Sequence, residues 1–198
     1  MTLSSSRSEL RQAIRQSIRQ HRRALTADEQ NHFALKAAQR MLALPEIIGA
    51  KNIALFLSFD GELDTAPLIN ALWQTNKAVY LPVLHPFSAG NLLFLRYSET
   101  TPLIRNRLKI LEPQLDVRQV LPIAQLDVLV TPLVAFDSDG QRLGMGGGFY
   151  DRTLQNWQQH HFYPVGLAHD CQWVPELPTE AWDIPLPAVV TPSHLWQW

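Results

Sequence analysis

A continuous apolar run at residues 52–59 constrains the fold of this chain more than any other feature. It has the length of a strand and lacks the polar–apolar alternation of a strand with one solvated face, which is typical of a strand buried on both faces. Such strands belong to sheets that helices cover on both sides. Similar runs at residues 78–84 and 126–136 predict two more core strands, although Pro82 in the first of these cannot donate to a sheet ladder.

Helical segments flank these apolar runs. An i, i+4 spacing of apolar side chains predicts a helix over residues 8–24. Thr26 is a candidate N-cap for a second helix, because Glu29 lies three residues on, as a capping box requires. This second helix is expected to run to about Leu44, and a third is predicted over residues 66–74.

Shorter segments complete the pattern. Apolar stretches at residues 92–97, 164–168 and 188–190 predict three further strands. Residues 98–125 contain several prolines and no clear period, so we expect them to form an irregular excursion that covers a site.

Alternating strands and helices predict an α/β fold, with a single layered domain over residues 1–198 whose largely parallel sheet is flanked by helices. In such sheets, ligands bind outside the carboxyl ends of the strands. That rule brings three segments together in one predicted cleft, at residues 58–62, 81–86 and 137–151.

Composition narrows the classes of function. The 198 residues are 46% hydrophobic with a formal net charge of −1, which argues against general nucleic-acid binding. The one cysteine, Cys171, excludes an intrachain disulfide and a cysteine metal site. No run approaches the length of a membrane span, and the Arg-rich N-terminus lacks the apolar region of a secretory signal. We therefore expect a cytoplasmic protein without a membrane partner, and a monomer, since no coiled coil is predicted.

The loop after the third core strand carries the strongest functional signal. Glycine lets backbone N–H groups approach a ligand closely, and the apolar spacing of Leu154 and Trp157 predicts a helix behind the loop, whose N-terminus would favour an anion. Arg142 adds a forked donor for phosphate oxygens, and Asp151 can hold the Mg²⁺ that accompanies a polyphosphate. The expected ligand is therefore a nucleoside triphosphate. Between Arg142 and Asp151 the loop contains Gly144, Gly146, Gly147, Gly148, Phe149 and Tyr150.

The glycines alone leave a second interpretation open, in which the loop is only a tight turn from strand to helix. The established phosphate motifs do not match it. The chain has no G-x-x-x-x-G-K-[ST] sequence. In the pattern G-x-G-x-x-G, Phe149 or Asp151 stands where the third glycine is required, counting from Gly144 or Gly146.

Two further groups of charged residues each have two interpretations. Glu62 and Asp64 follow the first core strand, either as solvated turn acids or as a carboxylate that accepts hydrogen bonds from an amino-pyrimidine or pterin edge. Arg11, Arg15 and Arg19 form a stripe on the first helix. This stripe is either a solvated basic face or a clamp for a triphosphate.

These residues together resemble the 5-formyltetrahydrofolate cyclo-ligase family, also called methenyltetrahydrofolate synthetase, and its enterobacterial branch in particular. The family pattern has a basic-x-x-hydrophobic-Arg helix, here residues 11–15, then Phe-Leu-Ser at residues 56–58 and an acid at Glu62. Its hallmark is Phe-Asp followed by Gly-x-Arg-Leu-Gly-x-Gly-x-Gly-aromatic-Tyr-Asp, here residues 136–137 and 140–151. The likeness covers nearly the whole chain.

The resemblance implies a Rossmann-like fold of the NagB/RpiA type and a ligase of one-carbon folate metabolism. The implied reaction uses ATP, with Mg²⁺, to cyclise 5-formyltetrahydrofolate to 5,10-methenyltetrahydrofolate through a phosphorylated formyl (imidate phosphate) intermediate, with release of ADP and phosphate. The implied ATP site consists of Arg11, Arg15, Arg142, Leu143, Gly144, Met145, Gly146, Gly147, Gly148, Phe149 and Tyr150.

The resemblance also implies the remaining roles in the site. Folate-binding positions fall on Leu57, Glu62, Met145 and Phe149. The metal ligand falls on Asp151, with Asp183 as a second proposed ligand, and the catalytic positions fall on Arg142 and Tyr150.

Two positions depart from the family pattern. Many relatives carry Lys at the position of Gly147, so another basic residue or Mg²⁺ is expected to replace that charge here. Some relatives carry Lys where this chain has Arg11, which keeps the charge but changes its geometry.

Two other functions compete with the ligase. One is a phosphosugar isomerase-like protein that uses the loop for a sugar phosphate without ATP. The other is a non-catalytic protein that sequesters 5-formyltetrahydrofolate, which shares Glu62 but has no use for Arg142 and Asp151. The full loop motif favours the ligase over both.

Overall fold

The structure is a computed structural model that describes residues 2–198, with side chains from residue 6 onward. Its helices are α1 (Thr2–Arg23), α2 (Ala27–Leu42), α3 (Pro45–Gly49), α4 (Ala66–Gln74), α5 (Phe149–Leu154) and α6 (Trp157–His160). Its strands are β1 (Asn52–Ala54), β2 (Ala78–Leu84), β3 (Leu92–Tyr97), β4 (Leu103–Arg105), β5 (Leu111–Pro113), β6 (Val120–Leu121), β7 (Val128–Thr131), β8 (Ala135–Phe136), β9 (Arg142–Leu143), β10 (Tyr163–Leu167), β11 (Ala188–Val190) and β12 (Leu195–Gln197).

Eight strands form one sheet in the order β12-β11-β10-β7-β1-β2-β3-β6. The five strands from β11 to β2 in that order run parallel, whereas β12, β3 and β6 pair antiparallel at the two sides. Two small ribbons, β4-β5 and β8-β9, lie outside this sheet. The predicted α/β fold with a largely parallel sheet is confirmed.

Strand β7 shows why the sheet needs helices on both sides. All four of its residues are buried. Val128 and Val130 belong to a core shared with Met41 of α2, while Leu129, which points to the other face, packs in a second core with Leu154 of α5. The alternation puts apolar side chains on both faces, as the continuous apolar runs predicted.

The first core strand is shorter than predicted. The run at residues 52–59 is a strand only in β1, after which the N–H of Leu55 makes one more bond, to the carbonyl of Tyr80 at 2.9 Å. The carbonyl of Phe56 then accepts from the hydroxyl of Thr65 at 2.7 Å. The Thr65 side chain thus takes the place of a neighbouring strand as the hydrogen-bond partner of Phe56, and the chain leaves the sheet towards the site.

The predicted strand at residues 126–136 is also divided in two. It forms β7 and then β8, with Pro132, which has no N–H to donate, just after β7. The N–H of Val134 donates to the carbonyl of Leu143 at 2.7 Å, so the chain pairs with β9 instead of extending the main sheet.

The helices match their predictions apart from their ends. The capping box is confirmed, since Thr26 and Glu29 exchange hydrogen bonds of 2.8 and 3.2 Å. Helix α1 begins earlier than residue 8, and α2 ends at Leu42 with the separate α3 after it. The single helix expected after the glycine-rich loop is two helices, because Asn156 adopts a left-handed conformation with φ 57° between them.

Strand β2 keeps its full predicted length despite Pro82. The N–H of Ala78 donates to the carbonyl of Lys51, and Tyr80 accepts from Leu55, so alternate residues of β2 point their backbone groups at β1. Strand β1 has already ended opposite Pro82, and the missing N–H therefore removes no ladder bond.

The rest of the chain adds two features that were not predicted. Residues 98–125 contain the β4-β5 hairpin and β6 as well as irregular segments, and β12 closes one side of the sheet.

Within residues 2–198, no helix has both the length and the apolarity that crossing a membrane requires.

Candidate active site

A cavity of 780 Å³ lies beyond the carboxyl ends of the central strands. It gathers residues from all three predicted segments, although residues 137–141 do not line it. Asp137 instead organises its own turn, where it accepts hydrogen bonds from the N–H groups of Asp139 and Gln141. The chain after β1, the end of β2 and the chain after β7 contribute Phe56, Leu57, Phe59, Glu62, Leu81, Pro82, Leu84, Pro132 and Leu133 to the lining.

The glycine-rich loop forms one wall of this cavity, and every residue from Gly144 to Tyr150 lines it. Gly146 and Gly148 have φ values of 101° and 67°, which side-chain-bearing residues rarely adopt. A side chain at Gly147 would begin 2.8 Å from the ring of Phe149. The ring of Phe149 would therefore have to move to admit a side chain at this position.

Arg142 is a buried cation at the base of the loop. Its side chain is 2% exposed and forms an ion pair with Asp151, which opens onto the cavity. Burial lowers the pKa of Arg142, and the charge of Asp151 opposes that shift. Nε of Arg142 has no hydrogen-bond partner among the described residues, so the guanidinium retains a donor for a ligand.

Helix α1 lies against the loop through its arginines. Nε of Arg15 donates to the carbonyl of Gly144 at 2.8 Å. Arg11 makes two hydrogen bonds to the carboxylate of Asp183, at 2.5 and 2.9 Å, and one to the carbonyl of Pro178 at 2.8 Å. The stripe is thus not a solvated face, because its members contact the residues around the cavity.

Arg19, the last member of the stripe, and two arginines that follow it on α1 anchor the turn after β1. Arg19, Arg22 and Arg23 all donate to Asp60. Burial alone would raise the pKa of Asp60, but the hydrogen bonds from these three arginines lower it to about 2. Asp60 is therefore ionised at neutral pH and holds the turn that carries Glu62.

Asp183 is already occupied in this structure. Both of its carboxylate oxygens accept from Arg11, and one also accepts from the N–H of Glu180 at 2.8 Å. Across residues 2–198, no group of three His, Cys, Asp or Glu side chains is placed to hold a metal ion. Asp151 and Asp183 are thus not part of a preformed metal site among these residues.

Glu62 is a buried carboxyl group in the wall of the cavity, 8% exposed. One oxygen accepts from the N–H of Phe59 at 3.2 Å, and the other lies 4.0 Å from Nη2 of Arg22. Burial raises the pKa of Glu62 to about 7, although Arg22 and the Phe59 N–H act in the opposite direction. Asp64, in contrast, accepts from the N–H of Ala66 at the start of α4, which is the role of a turn acid.

Tyr150 brings a buried hydroxyl to the same cavity. Burial raises the pKa of Tyr150, and the negative charge of Glu62 adds to the shift. The hydroxyl has no partner among the described residues, so it is a protonated donor that lacks an acceptor.

Comparison with known proteins identifies the family to which this site belongs. Residues 7–192 match the model of the 5-formyltetrahydrofolate cyclo-ligase family. The chain belongs to this family. The 5-formyltetrahydrofolate cyclo-ligase of Escherichia coli (strain K12) is 67% identical over 180 residues, which is 91% of this chain and 99% of that protein. The protein of the same name from Haemophilus influenzae is 58% identical over 179 residues, or 90% and 96% of the two chains.

Solved structures of similar proteins agree with the fold. The NMR structure of 5,10-methenyltetrahydrofolate synthetase from Aquifex aeolicus has a TM-score of 0.80 and 29% identity, covering 95% of this chain and 92% of that one. The corresponding synthetase from Mycoplasma pneumoniae has a TM-score of 0.73 and 25% identity, covering 92% and 98%.

The cavity contains most of the side chains that the cyclo-ligase resemblance predicted for ATP and folate. Leu143 is the exception, since its side chain is buried in a core with Ile18 and Leu177 rather than in the cavity wall. Asp183 is also outside the lining and reaches the site through Arg11.

Sequence reasoning missed a second wall, built by the hairpin β4-β5 and by Trp182. The irregular excursion predicted at residues 98–125 indicated such a cover but did not identify its residues. The lining contributed by this wall is Asn106, Leu108, Ile110, Leu111, Glu112 and Trp182.

We expect the stability of Glu62→Gln relative to the unsubstituted protein to depend on pH. Between the ordinary pKa of 4.5 and the native value of about 7, the native carboxyl keeps a proton that the unfolded chain has released. The free energy of unfolding of the unsubstituted protein must therefore fall relative to that of Glu62→Gln as the pH rises through this window, because only the unsubstituted protein carries this carboxyl group. Urea unfolding at steps from about pH 5 to pH 8 measures the difference between the two proteins. Parallel stability curves would contradict the raised pKa.

Proposed function

We propose that this chain converts ATP and 5-formyltetrahydrofolate into 5,10-methenyltetrahydrofolate, ADP and phosphate. The observation that carries the proposal is a single cavity lined by the buried Arg142, by the glycine-rich loop and by Glu62. These are a phosphate-binding wall and a carboxyl group suited to a pterin, within one space. The relatives from E. coli and H. influenzae, which bear the name of this activity, align over almost their whole length.

The chemistry explains why the reaction needs ATP. The formyl group on N5 is an amide, so its carbon is a poor electrophile and its oxygen a poor leaving group. Transfer of the γ-phosphoryl group to that oxygen gives ADP and an imidate phosphate. N10 then attacks the formyl carbon and loses its proton, and the C–O bond breaks as phosphate departs with the oxygen.

Phosphoryl transfer requires positioning and neutralised charge rather than a covalent nucleophile. We assign Arg142 to the charge on the transferring phosphoryl oxygens, because its buried guanidinium acts where water does not screen it. Arg15 and Arg11 approach the same wall from α1. A Cβ atom added at Gly146 would lie 3.8 Å from the guanidinium of Arg15. The Tyr150 hydroxyl, which needs an acceptor, is suited to the reacting oxygens.

The lysine of many relatives has a candidate replacement next to Gly147. Nη1 of Arg152 donates to the carbonyl of Gly147 at 3.0 Å and to that of Gly90 at 3.2 Å. Arg152 therefore places a positive charge at the outer side of the loop. We propose that Arg15 and Arg152 together supply the charge that Gly147 lacks.

The residues present fit Mg²⁺ as a companion of the nucleotide. Mg²⁺ usually binds through one or two carboxylates together with substrate phosphates, so it does not require a complete protein cage. Asp151 would hold the ion, since its side chain is 18% exposed and lines the cavity. When bound, Mg²⁺ would neutralise phosphate charge. Asp183 could become a second ligand of the ion only if its carboxylate gave up its hydrogen bonds to Arg11.

The folate would occupy the opposite side of the cavity. Glu62 is the candidate partner for the N–H groups of the pterin, and Leu57 provides apolar surface beside it. Met145 and Phe149, which both line the cavity, would border the two substrates. This arrangement would bring the formyl oxygen towards the phosphoryl group.

The two competing functions would not require every group that lines this cavity. A phosphosugar isomerase would act without Mg²⁺ and ATP, and a folate-sequestering protein would not need Arg142 or Asp151. The single domain, the monomeric state, the cytoplasmic location and the lack of a nucleic-acid partner stay predictions.

Purified protein should form the methenyl product only with Mg²⁺, ATP and 5-formyltetrahydrofolate present together. The product is followed by its near-ultraviolet absorbance. Folate binding without turnover would favour the sequestering protein, whereas neither binding nor turnover would favour the sugar-phosphate alternative.

Arg142→Ala should lower kcat by a factor on the order of 10² to 10³, with a much smaller effect on folate binding. The reason is that the guanidinium meets charge that develops only during phosphoryl transfer. Steady-state kinetics and a folate titration measure the two effects separately. Arg118→Ala is the matched control, because Arg118 is 83% exposed and pairs with Asp116 outside the cavity lining. An unchanged kcat in Arg142→Ala would refute this role.

Asp151→Asn should raise the Mg²⁺ concentration needed for half-maximal turnover about tenfold or more, since one anionic ligand is removed. Turnover measured against Mg²⁺ at saturating folate tests this. The parallel variant Asp183→Asn separates two roles. A similar rise in the required Mg²⁺ concentration would show that Asp183 is a metal ligand. A raised KM for ATP with an unchanged Mg²⁺ requirement would show that Asp183 instead positions Arg11. An unaltered Mg²⁺ requirement in Asp151→Asn would contradict the assignment.

A further inference from the structure

Trp182 is a large aromatic side chain that packing does not explain. It is 63% exposed, more than any other tryptophan of the chain, yet it lines the cavity. It belongs to none of the hydrophobic cores, and no ring contact joins it to another aromatic side chain among the described residues. The tryptophans that do pack against an aromatic ring or a core are Trp73, Trp157, Trp173, Trp196 and Trp198.

The backbone that carries Trp182 is a closed turn. The N–H of Glu180 donates to the carboxylate of Asp183 at 2.8 Å, and the N–H of Asp183 donates to the carbonyl of Glu180 at 3.1 Å. We call these residues the 180–183 turn. Because its ends are bonded to each other, the turn presents Trp182 to the cavity on an ordered backbone.

Helix α1 anchors the 180–183 turn. Arg11 makes two hydrogen bonds to the carboxylate of Asp183, and Nη1 of Arg7 lies 3.4 Å from the carboxylate of Glu180. Arg11 itself lines the cavity, as do Glu180 and Trp182. The turn therefore brings an aromatic ring and a carboxylate to the lining, where they are attached to an arginine of the candidate nucleotide site.

The same turn lies within electrostatic range of the other phosphate-binding candidates. Burial lowers the pKa of Arg15 and of Arg142, and the negative charge of Asp183 opposes both shifts. Arg15 also donates to the carbonyl of Gly144 in the glycine-rich loop. If these arginines meet the phosphates, the rest of the same nucleotide must lie on a neighbouring surface, and the 180–183 turn provides one.

The chemistry of this surface matches a nucleoside. A base has a π face that stacks on an aromatic side chain, and Trp182 presents a ring without a partner ring. The hydroxyls of a ribose donate hydrogen bonds, and a carboxylate is a suitable acceptor for them. Glu180 supplies a carboxylate whose side chain is 21% exposed, two positions from Trp182 in the same turn.

We propose that the 180–183 turn binds the nucleoside of ATP, with Trp182 stacked on the adenine ring and Glu180 accepting hydrogen bonds from the ribose hydroxyls. The inference rests on the proposed function and adds to it the residues that recognise the part of ATP that does not react. It also gives α1 a further role, because Arg11 and Arg7 hold this turn in place.

The first test measures binding without turnover. Titration with ADP, in the absence of folate, should quench the tryptophan fluorescence of the unsubstituted protein. Trp182→Phe should lose most of that quenching. Trp198→Phe is the matched control, because Trp198 is 44% exposed and lies outside the cavity lining, and it should keep the quenching. Full quenching in Trp182→Phe would overturn the proposal.

Steady-state kinetics test the contribution of stacking. Trp182→Ala should raise the KM for ATP about tenfold, since stacking of a base on an aromatic side chain contributes on that order to binding. The KM for 5-formyltetrahydrofolate should stay close to its value in the unsubstituted protein. Trp182→Phe, which keeps an aromatic ring, should recover most of the loss, and Trp198→Ala should change neither KM.

A comparison of ATP with 2′-deoxy-ATP tests Glu180. The unsubstituted protein should have a higher kcat/KM for ATP, by about fivefold, because the deoxy form lacks a hydrogen bond to a charged group. Glu180→Ala should remove most of that preference. Glu176→Ala is the matched control, since Glu176 is an exposed acid of the same segment outside the lining. Equal use of both nucleotides by the unsubstituted protein would refute the contact with the ribose.

The outcomes separate this inference from its alternatives. If Trp182 packed against the benzoyl ring of the folate instead, Trp182→Ala would raise the KM for the folate and leave that for ATP unchanged, which would overturn the proposal. A failure of the proposed function looks different. No methenyl product would then form, whereas quenching by ADP that depends on Trp182 would still support the nucleoside site.

Discussion

The ion pair between Arg142 and Asp151 is the interaction on which the glycine-rich wall of the active-site cavity depends. A buried guanidinium is unfavourable unless an anion meets it, and the Arg142 side chain is 2% exposed. Arg142 begins β9 and Asp151 lies in the first turn of α5, so their contact closes the intervening chain into a loop with fixed ends. Four of the eight residues between them are glycines, and the loop lines the cavity. Its N–H groups are ordered when the protein folds, which reduces the entropy that a nucleotide must lose on binding.

Helix α1 completes the cavity through a series of arginines, each of which meets a different segment. Arg11 reaches Asp183, Arg15 reaches the carbonyl of Gly144, and Arg22 reaches Asp60. These partners lie 38 to 172 positions away along the chain. The helix therefore links the turn after β1, the glycine-rich loop and the segment near the C-terminus. The cationic stripe is thus both part of the candidate nucleotide site and the support that holds its walls together.

The sequence predicted what depends on local pattern and missed what depends on distant partners. The capping box at Thr26 and the central strands followed from spacing and apolar runs. The early end of β1 could not be predicted from local pattern. There the hydroxyl of Thr65 donates to the carbonyl of Phe56 in place of a neighbouring strand. The arginine stripe allowed two interpretations, since helical periodicity shows which residues share a face but not what covers it. Leu143 lies within the family motif, yet β9 directs its side chain into a core.

Glu62 and the cations Arg142 and Arg15 bring opposite charges to the lining of one cavity. The pKa of Glu62 is about 7, because burial disfavours the ionised carboxylate while Arg22 favours it. A pterin that donates N–H groups would favour the ionised carboxylate and so add negative charge to the cavity. ATP adds more, and in a largely apolar enclosure these charges would oppose joint binding. The cations of the lining, Arg142 and Arg15, would offset that repulsion by meeting the phosphates. The fold attaches Glu62 to the chain after β1 and the cations to β9 and α1, so each charge is held by its own element, and the proposed reaction would use both within one cavity.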